Sequence, residues 1–106
     1  MPYSEQLIQQ VWEKTRVNPD IAMDKWREDE CGAWIERERY GDRLSQFGWV
    51  IINVSAGGSD TLKNLRAFNH RNGYEVAVQQ PKCQVTADRT DLPPFGHISE
   101  PRNRDV

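Results

Sequence analysis

Four tryptophans have to build much of whatever core this chain can form. Trp12, Trp26, Trp34 and Trp49 all lie in its first half, and each can bury a large apolar area. Hydrophobic residues fill only 37% of the 106 positions, which is low for a globular chain. A chain of this length supports one domain with a modest core and little more. The indoles are therefore the expected core anchors, and the elements that carry them decide the fold.

Net charge is -2, so the strongly basic surface that non-specific nucleic-acid binding calls for is missing. The charge is unevenly placed. From Asp20 to Asp42 there are eight acids against four bases. From Arg43 to Gln80 four bases (Arg43, Lys63, Arg66, Arg71) face two acids, Asp60 and Glu75. Mixed solvated faces are the plainest account of that pattern. Cys31 and Cys83 stand far apart with no CxxC pair, which argues against a four-ligand structural zinc site. Two free thiols in a reducing cytosol are the expected state, with a disulfide as the alternative. No apolar run is long enough to span a membrane, and the N-terminus carries no signal-peptide apolar segment. A cytoplasmic location is expected.

Residues 4 to 15 are predicted helical. Ser4 can cap the start, Glu5 suits the first turn, and Leu7, Ile8, Val11 and Trp12 share a face. Asn18-Pro19-Asp20 breaks the pattern. A second short helix is expected over Asp20 to Glu28, with Ile21, Met23 and Trp26 as its apolar residues and Cys31-Gly32 beyond its end. Tyr40-Gly41-Asp42 reads as a turn. The clearest strand runs from Gly48 to Val54, β-branched and bounded by turn residues. Ala56 to Asp60 is a tight loop, and residues 64 to 68 form a return strand. A final helix is expected over Asn69 to Gln79, weakened by about 1 kcal/mol at Gly73. Pro81 to Val106 is rich in proline and sparse in apolar residues. It is expected to be extended or disordered, with an anchor at Leu92 to Phe95. The expected organisation is a folded unit over residues 1–80 and a tail over 81–106.

Several pieces in order carry a resemblance. They are Trp26-Arg27-x-Asp29-x-Cys31-Gly32-Ala33-x-Ile35, then Tyr40-Gly41, Gly48-Trp49, Gly57-Gly58-Ser59-Asp60 and Asn64-Leu65. Together this stretch, over about residues 9 to 76, resembles a group of small bacterial and phage HNH endonuclease-family proteins. The resemblance implies an α+β fold. Its centre would be the ββα-metal unit, a short antiparallel hairpin plus a helix, with N-terminal helices before it and the C-terminal tail after it. In the family this unit holds one divalent cation and hydrolyses a phosphodiester. A strand Asp and a helical Asn or His hold the metal, the adjacent His is the general base, and a middle Asn orients that His. Hard cations need oxygen ligands, and the base needs a nitrogen that titrates near neutral pH.

The family's reactive residues are missing at the matching positions. Counting from Gly48-Trp49, the strand Asp falls on Ile52 and the base on Asn53. Ile52 has no ligand atom, and Asn53 cannot take up a proton near neutral pH. No acid and no His lies anywhere from Gly48 to Val54. Counting from Asn64-Leu65, the closing helical Asn falls on Gly73, beside Asn72. Only Asn64, the supporting member, survives. His70 stands near the start of the predicted last helix, but the strand offers it no partner. His97 lies in the tail.

Three functions follow as alternatives. The first is a catalytically inactive HNH-like protein that binds a protein partner, in the manner of phage or mobile-element inhibitors of host defence (anti-CRISPR or anti-restriction type). Its contact residues would include the acidic Glu28, Glu30, Glu36 and Glu38, which could mimic DNA phosphates. The second is nucleic-acid binding without cleavage, through Arg43, Lys63, Arg66 and Arg71 on phosphates and Asn53, Asn64, Asn69 and Asn72 as hydrogen-bonding groups. The third is an active metal-dependent nuclease with an atypical site, such as Asp60 with His70 or Glu75. The first reading expects no cofactor, no metal and no membrane, and a monomer or homodimer.

Overall fold

The computed structural model describes residues 3–90 and 100–106. It is a small α+β fold in which the described residues form one α-helix and four antiparallel two-stranded sheets. Helix α1 (Glu5–Glu13) starts where its cap is placed: Ser4 Oγ accepts from the Leu7 N–H at 3.1 Å. Ile8, Val11 and Trp12 are its buried face. The strands are β1 (Trp26–Glu28), β2 (Trp34–Glu36), β3 (Trp49–Asn53), β4 (Leu65–Asn69), β5 (Gly73–Glu75), β6 (Gln80–Lys82), β7 (Val85–Ala87) and β8 (Asn103–Asp105). Each pairs with its neighbour, β1 with β2 through to β7 with β8.

The core gathers around the indoles, as the composition requires. Trp12, Trp34 and Trp49 are at most 1% exposed, each contributing ~5 kcal/mol from buried area before chain entropy is set against it. Trp12 lies 5.4 Å from Trp49, centroid to centroid, and Tyr40 meets Trp49 edge-on at 4.9 Å. Ile8, Val11, Ile35, Leu65 and Ala67 complete this cluster, with Ile51 packed against it. The half-buried Trp26 stands edge-on to Trp34 and to Phe47.

The β3–β4 hairpin is the longest ladder, five residue pairs from Trp49↔Asn69 to Asn53↔Leu65. Its entry depends on Gly48. A Cβ there would stand 1.7 Å from the Asp42 carbonyl oxygen, so only glycine lets the incoming loop lie against the strand.

Three expectations about elements are corrected. The helix expected over Asp20 to Glu28 is a run of turns leading into strand β1. The reason lies at Arg27, which is 7% exposed. Its Nη1 donates to the carbonyls of Trp12, Glu13 and Thr15 at 2.9, 2.9 and 3.0 Å, and its Nε to Met23 O at 2.9 Å. Trp12 and Glu13 are in the last turn of α1, whose carbonyls run short of intrahelical partners, and Thr15 follows it, so Arg27 is drawn under the end of α1 instead of outward from a second helix.

The helix expected over Asn69 to Gln79 is replaced by the β5–β6 hairpin around a short 3-10 helix, Val76–Val78. Asn69 Oδ1 accepts from the Arg71 N–H at 3.0 Å, and Asn72 commits its amide to residues further along the chain. Side chains that bond locally to backbone compete with helix, and Gly73 adds its own penalty. The helix of an HNH-type ββα unit is therefore not formed by the residues expected to supply it.

The tail differs as well. Strands β7 and β8 pair with each other, and Val85 and Ala87 are buried. Asn103 bonds to Trp34 in both directions, accepting from its N–H at 2.8 Å and donating to its carbonyl at 3.0 Å. The anchor expected at Leu92 to Phe95 and the residue His97 lie outside the described residues. Finally, Cys31 and Cys83 are not free thiols. They form a disulfide across 52 positions of sequence, which ties the start of the tail to the β1–β2 turn.

Candidate functional site

Ile52, Asn53 and Asn64, positions that the HNH resemblance singles out, come together in the β3–β4 hairpin and its loop, where the two asparagines hold the loop. Asn53 Nδ2 donates to the carbonyls of Gly58 and Ser59 and to Asp60 Oδ1, at 3.1, 3.1 and 3.0 Å. Its Oδ1 accepts from the Ser55 N–H. Asn64 Nδ2 donates to the same Ser59 carbonyl at 2.9 Å. Both amides are thus consumed in holding the Gly57-Gly58-Ser59-Asp60 turn. Ile52 stands opposite Arg66 on the ladder and Val50 opposite Phe68, so alternation puts these four on one face. Gly73 opens β5 opposite Lys82. His70 has its Nε2 on the Ser45 carbonyl at 2.9 Å.

A divalent cation of the family type does not fit this donor set. Ile52 offers no donor, the Asn53 amide oxygen already accepts a hydrogen bond, and His70 is turned to a loop carbonyl. Nor does an alternative metal-binding cluster assemble among the described residues. Asp60 lies in the loop before the 3-10 helix Leu62–Asn64, where it accepts from Asn53, His70 follows the far end of β4 and is turned to Ser45, and Glu75 pairs with Lys82.

Asp29, which is 1% exposed, is the centre of a buried polar network. Its Oδ1 accepts from the N–H groups of Cys31 and Ala33, and its Oδ2 from the Asn69 N–H and the Asn72 side chain, all at 2.9 Å. Burial pushes its pKa above the usual aspartate value, and the four donors oppose that rise. Asn72 extends the network, accepting from the N–H groups of Gln84 and Val85 at 2.8 and 2.9 Å. Asn69 Nδ2 reaches the carbonyls of Trp34 and Gln46. Three side chains thus tie β1, β4, the tail and the loop before β3 into one unit.

Beside this hub lies an open pocket of about 320 Å³ lined by Lys14, Thr15, Arg16, Glu28, Asp29, Glu30, Arg66 and Ala67. Its charges are balanced by pairing. Arg66 Nη1 meets both oxygens of Glu30 at 3.0 and 2.9 Å and lies over the Tyr74 ring. Arg16 pairs with Glu28 at 3.5 Å, and Arg89 bonds to the same carboxylate. Lys14 donates to the Leu62 carbonyl at 2.6 Å. Partial burial and the nearby Arg66 charge lower its pKa, against the pull of Glu30. The pocket can take a ligand only by competing with these pairs.

Of the contact residues expected from sequence, Glu28, Glu30 and Arg66 meet here. The others are scattered. Arg71 pairs with Asp105 on a second open pocket that also holds Lys82 and Gln84. Glu36 pairs with Lys25 and Arg39. Arg43, Lys63 and Glu38 are exposed. The acidic run is therefore no continuous negative face, since Glu28 and Asp29 are buried and Glu30 and Glu36 are paired. Sequence reasoning missed Lys14, Arg16 and the central role of Asp29. The Asp29-x-Cys31 spacing was a usable signal, because an aspartate commonly binds the N–H two residues on. No family model, curated protein or solved structure matches this chain.

Proposed function

We propose that this chain works by binding a protein partner and does not cut nucleic acid. The observation that carries this reading is what stands at the positions the resemblance makes reactive: Ile52 on a hairpin face shared with Val50, Arg66 and Phe68, and Asn53 clamped to the loop it precedes. The likeness to HNH proteins then rests on the ordered motifs and on the hairpin alone, with β5–β6 where the helix would be. The face proposed to meet the partner is the pocket of Lys14, Arg16, Glu30 and Arg66, whose exposed ion pairs can exchange for pairs across an interface. A role as a phage or mobile-element inhibitor of host defence is one form of this proposal; it would place the protein in the cytoplasm, where the Cys31–Cys83 disulfide would have to resist reduction.

Direct nucleic-acid binding is the competing reading. Pairing of Arg66 with Glu30 and of Arg71 with Asp105 leaves fewer free cations than the sequence offers. The test has two arms. Supercoiled plasmid with Mg²⁺ or Mn²⁺ should remain intact, and duplex DNA at low salt should not be retained. Affinity capture from the producing cell should then give a protein that the wild type holds and Arg66→Glu loses. Metal-dependent nicking abolished by His70→Ala, or strong salt-dependent DNA binding, would overturn the proposal.

A further inference from the structure

The loop between Tyr40 and Trp49 carries a feature that neither the hairpin nor the pocket uses. Leu44 is fully exposed at its tip. Arg43 beside it is also exposed, and its guanidinium makes no hydrogen bond or ion pair among the described residues. The peptide joining them is held lightly: the Leu44 N–H donates to Asp42 Oδ1 at an exposed site. Both flanks are held firmly. Upstream, Arg39 pairs with Asp42 at 3.6 Å and the Gly41 N–H donates to the Trp49 carbonyl at 2.8 Å. Downstream, His70 holds the Ser45 carbonyl, and the Asn69 and Asn103 amides both donate to the Gln46 carbonyl.

We infer that the Arg43–Leu44 bond is a processing site for a trypsin-like endoprotease, and that cleavage leaves a two-chain protein which stays folded. Such proteases select an arginine or lysine side chain immediately before the bond they cut, and nicking concentrates at exposed loop tips. The chemistry is hydrolysis: water adds across the peptide bond, leaving a carboxylate on Arg43 and an amino group on Leu44. Several other basic residues are worse placed. Arg37 and Arg39 lie in a 3-10 helix, Arg66 lies in β4, and Lys82 adjoins the disulfide. After the cut, residues 1–43 and 44–106 remain joined by Cys31–Cys83. They also remain packed through α1 against β4 and through the Asp29 bonds to Asn69 and Asn72.

Limited digestion of the oxidised full chain with trypsin tests this. The expected first product runs as one unbroken species on a denaturing gel without reductant. With reductant it gives two fragments, one of which begins at Leu44. Arg43→Gln, a change at an exposed side chain, should slow the first cut by about tenfold or more, since cleavage of the folded chain then needs wider opening. A first cut at Arg89 would release residues 90–106 without reductant, and a first cut at Lys63 would give a different new terminus. Either result overturns the inference. So does Arg43→Gln digested at the wild-type rate, or a chain that blocks trypsin without being cut.

Discussion

Two pairs of asparagines organise backbone in this protein, one in the interior and one at the surface. Asn69 and Asn72 work with Asp29 in the interior, where several of the donors they satisfy, the N–H groups of Ala33, Asn69 and Val85 among them, are buried. Asn53 and Asn64 hold the loop between β3 and β4, where water can replace a lost bond. The chemistry is the same amide in each place. What differs is the penalty for leaving a partner unmatched, about 1–3 kcal/mol for a buried group and far less at the surface. An asparagine in a sequence therefore says little about its weight until its surroundings are known.

Removing the centre of the interior network should have the largest effect. Asp29→Ala strands two backbone N–H groups of the β1–β2 turn, one of β4 and the Asn72 amide, and is expected to cost about 3–5 kcal/mol in urea unfolding. A loss below about 1 kcal/mol would mean the hub is no stronger than a surface contact. The next test is pH. Burial raises the Asp29 pKa above its usual 3.8, so the folded chain binds that proton more tightly than the unfolded chain does. The group's contribution is then greatest in acid and declines as pH rises from the unfolded value through the raised folded one. Measured against Asp29→Asn, the wild type should lose relative stability over that range; a gain would show the four donors outweighing burial.

Smaller effects should follow at the surface. Asn53→Ala is expected to cost about 1 kcal/mol and to speed amide exchange across Ser55 to Asp60 without touching the core. If it matches Asp29→Ala, the two regions do not differ as described. Glu30→Gln removes an exposed, bidentate partner of Arg66 and should shift stability by less than about 1 kcal/mol, with the difference shrinking in high salt.

What could be read in the sequence follows the same division between local and distant causes. Helix α1 was legible because its cap and apolar spacing lie within one segment. Strand β3 was legible because Val50, Ile51, Ile52 and Val54 are β-branched and bounded by Gly48 and Gly57. The segment around Arg27 was misread because that side chain is held by carbonyls of α1, more than ten residues earlier. The segment after β4 was misread because Asn69 and Asn72 bond to Gln46, Gln84 and Val85, whose proximity no local pattern encodes. The disulfide was left as an alternative for the same reason. At the pocket, Glu28, Glu30 and Arg66 stood out as charges, while Lys14 falls inside the helix predicted over residues 4 to 15 and Arg16 just beyond it, where neither has a local signal to mark it.

The Cys31–Cys83 bond has a mechanical consequence. It encloses β2 to β6 in a covalent ring, with α1 and β1 on one side and the closing strands on the other. A molecule stretched from its two ends would pass the load through the sulfur atoms and leave the 52-residue span slack. The chain would extend by about half of what its full length allows, ~180 Å at 3.3–3.6 Å per residue. The β3–β4 hairpin would bear no tension until the bond was reduced, so force and reductant would unfold different halves of the same molecule.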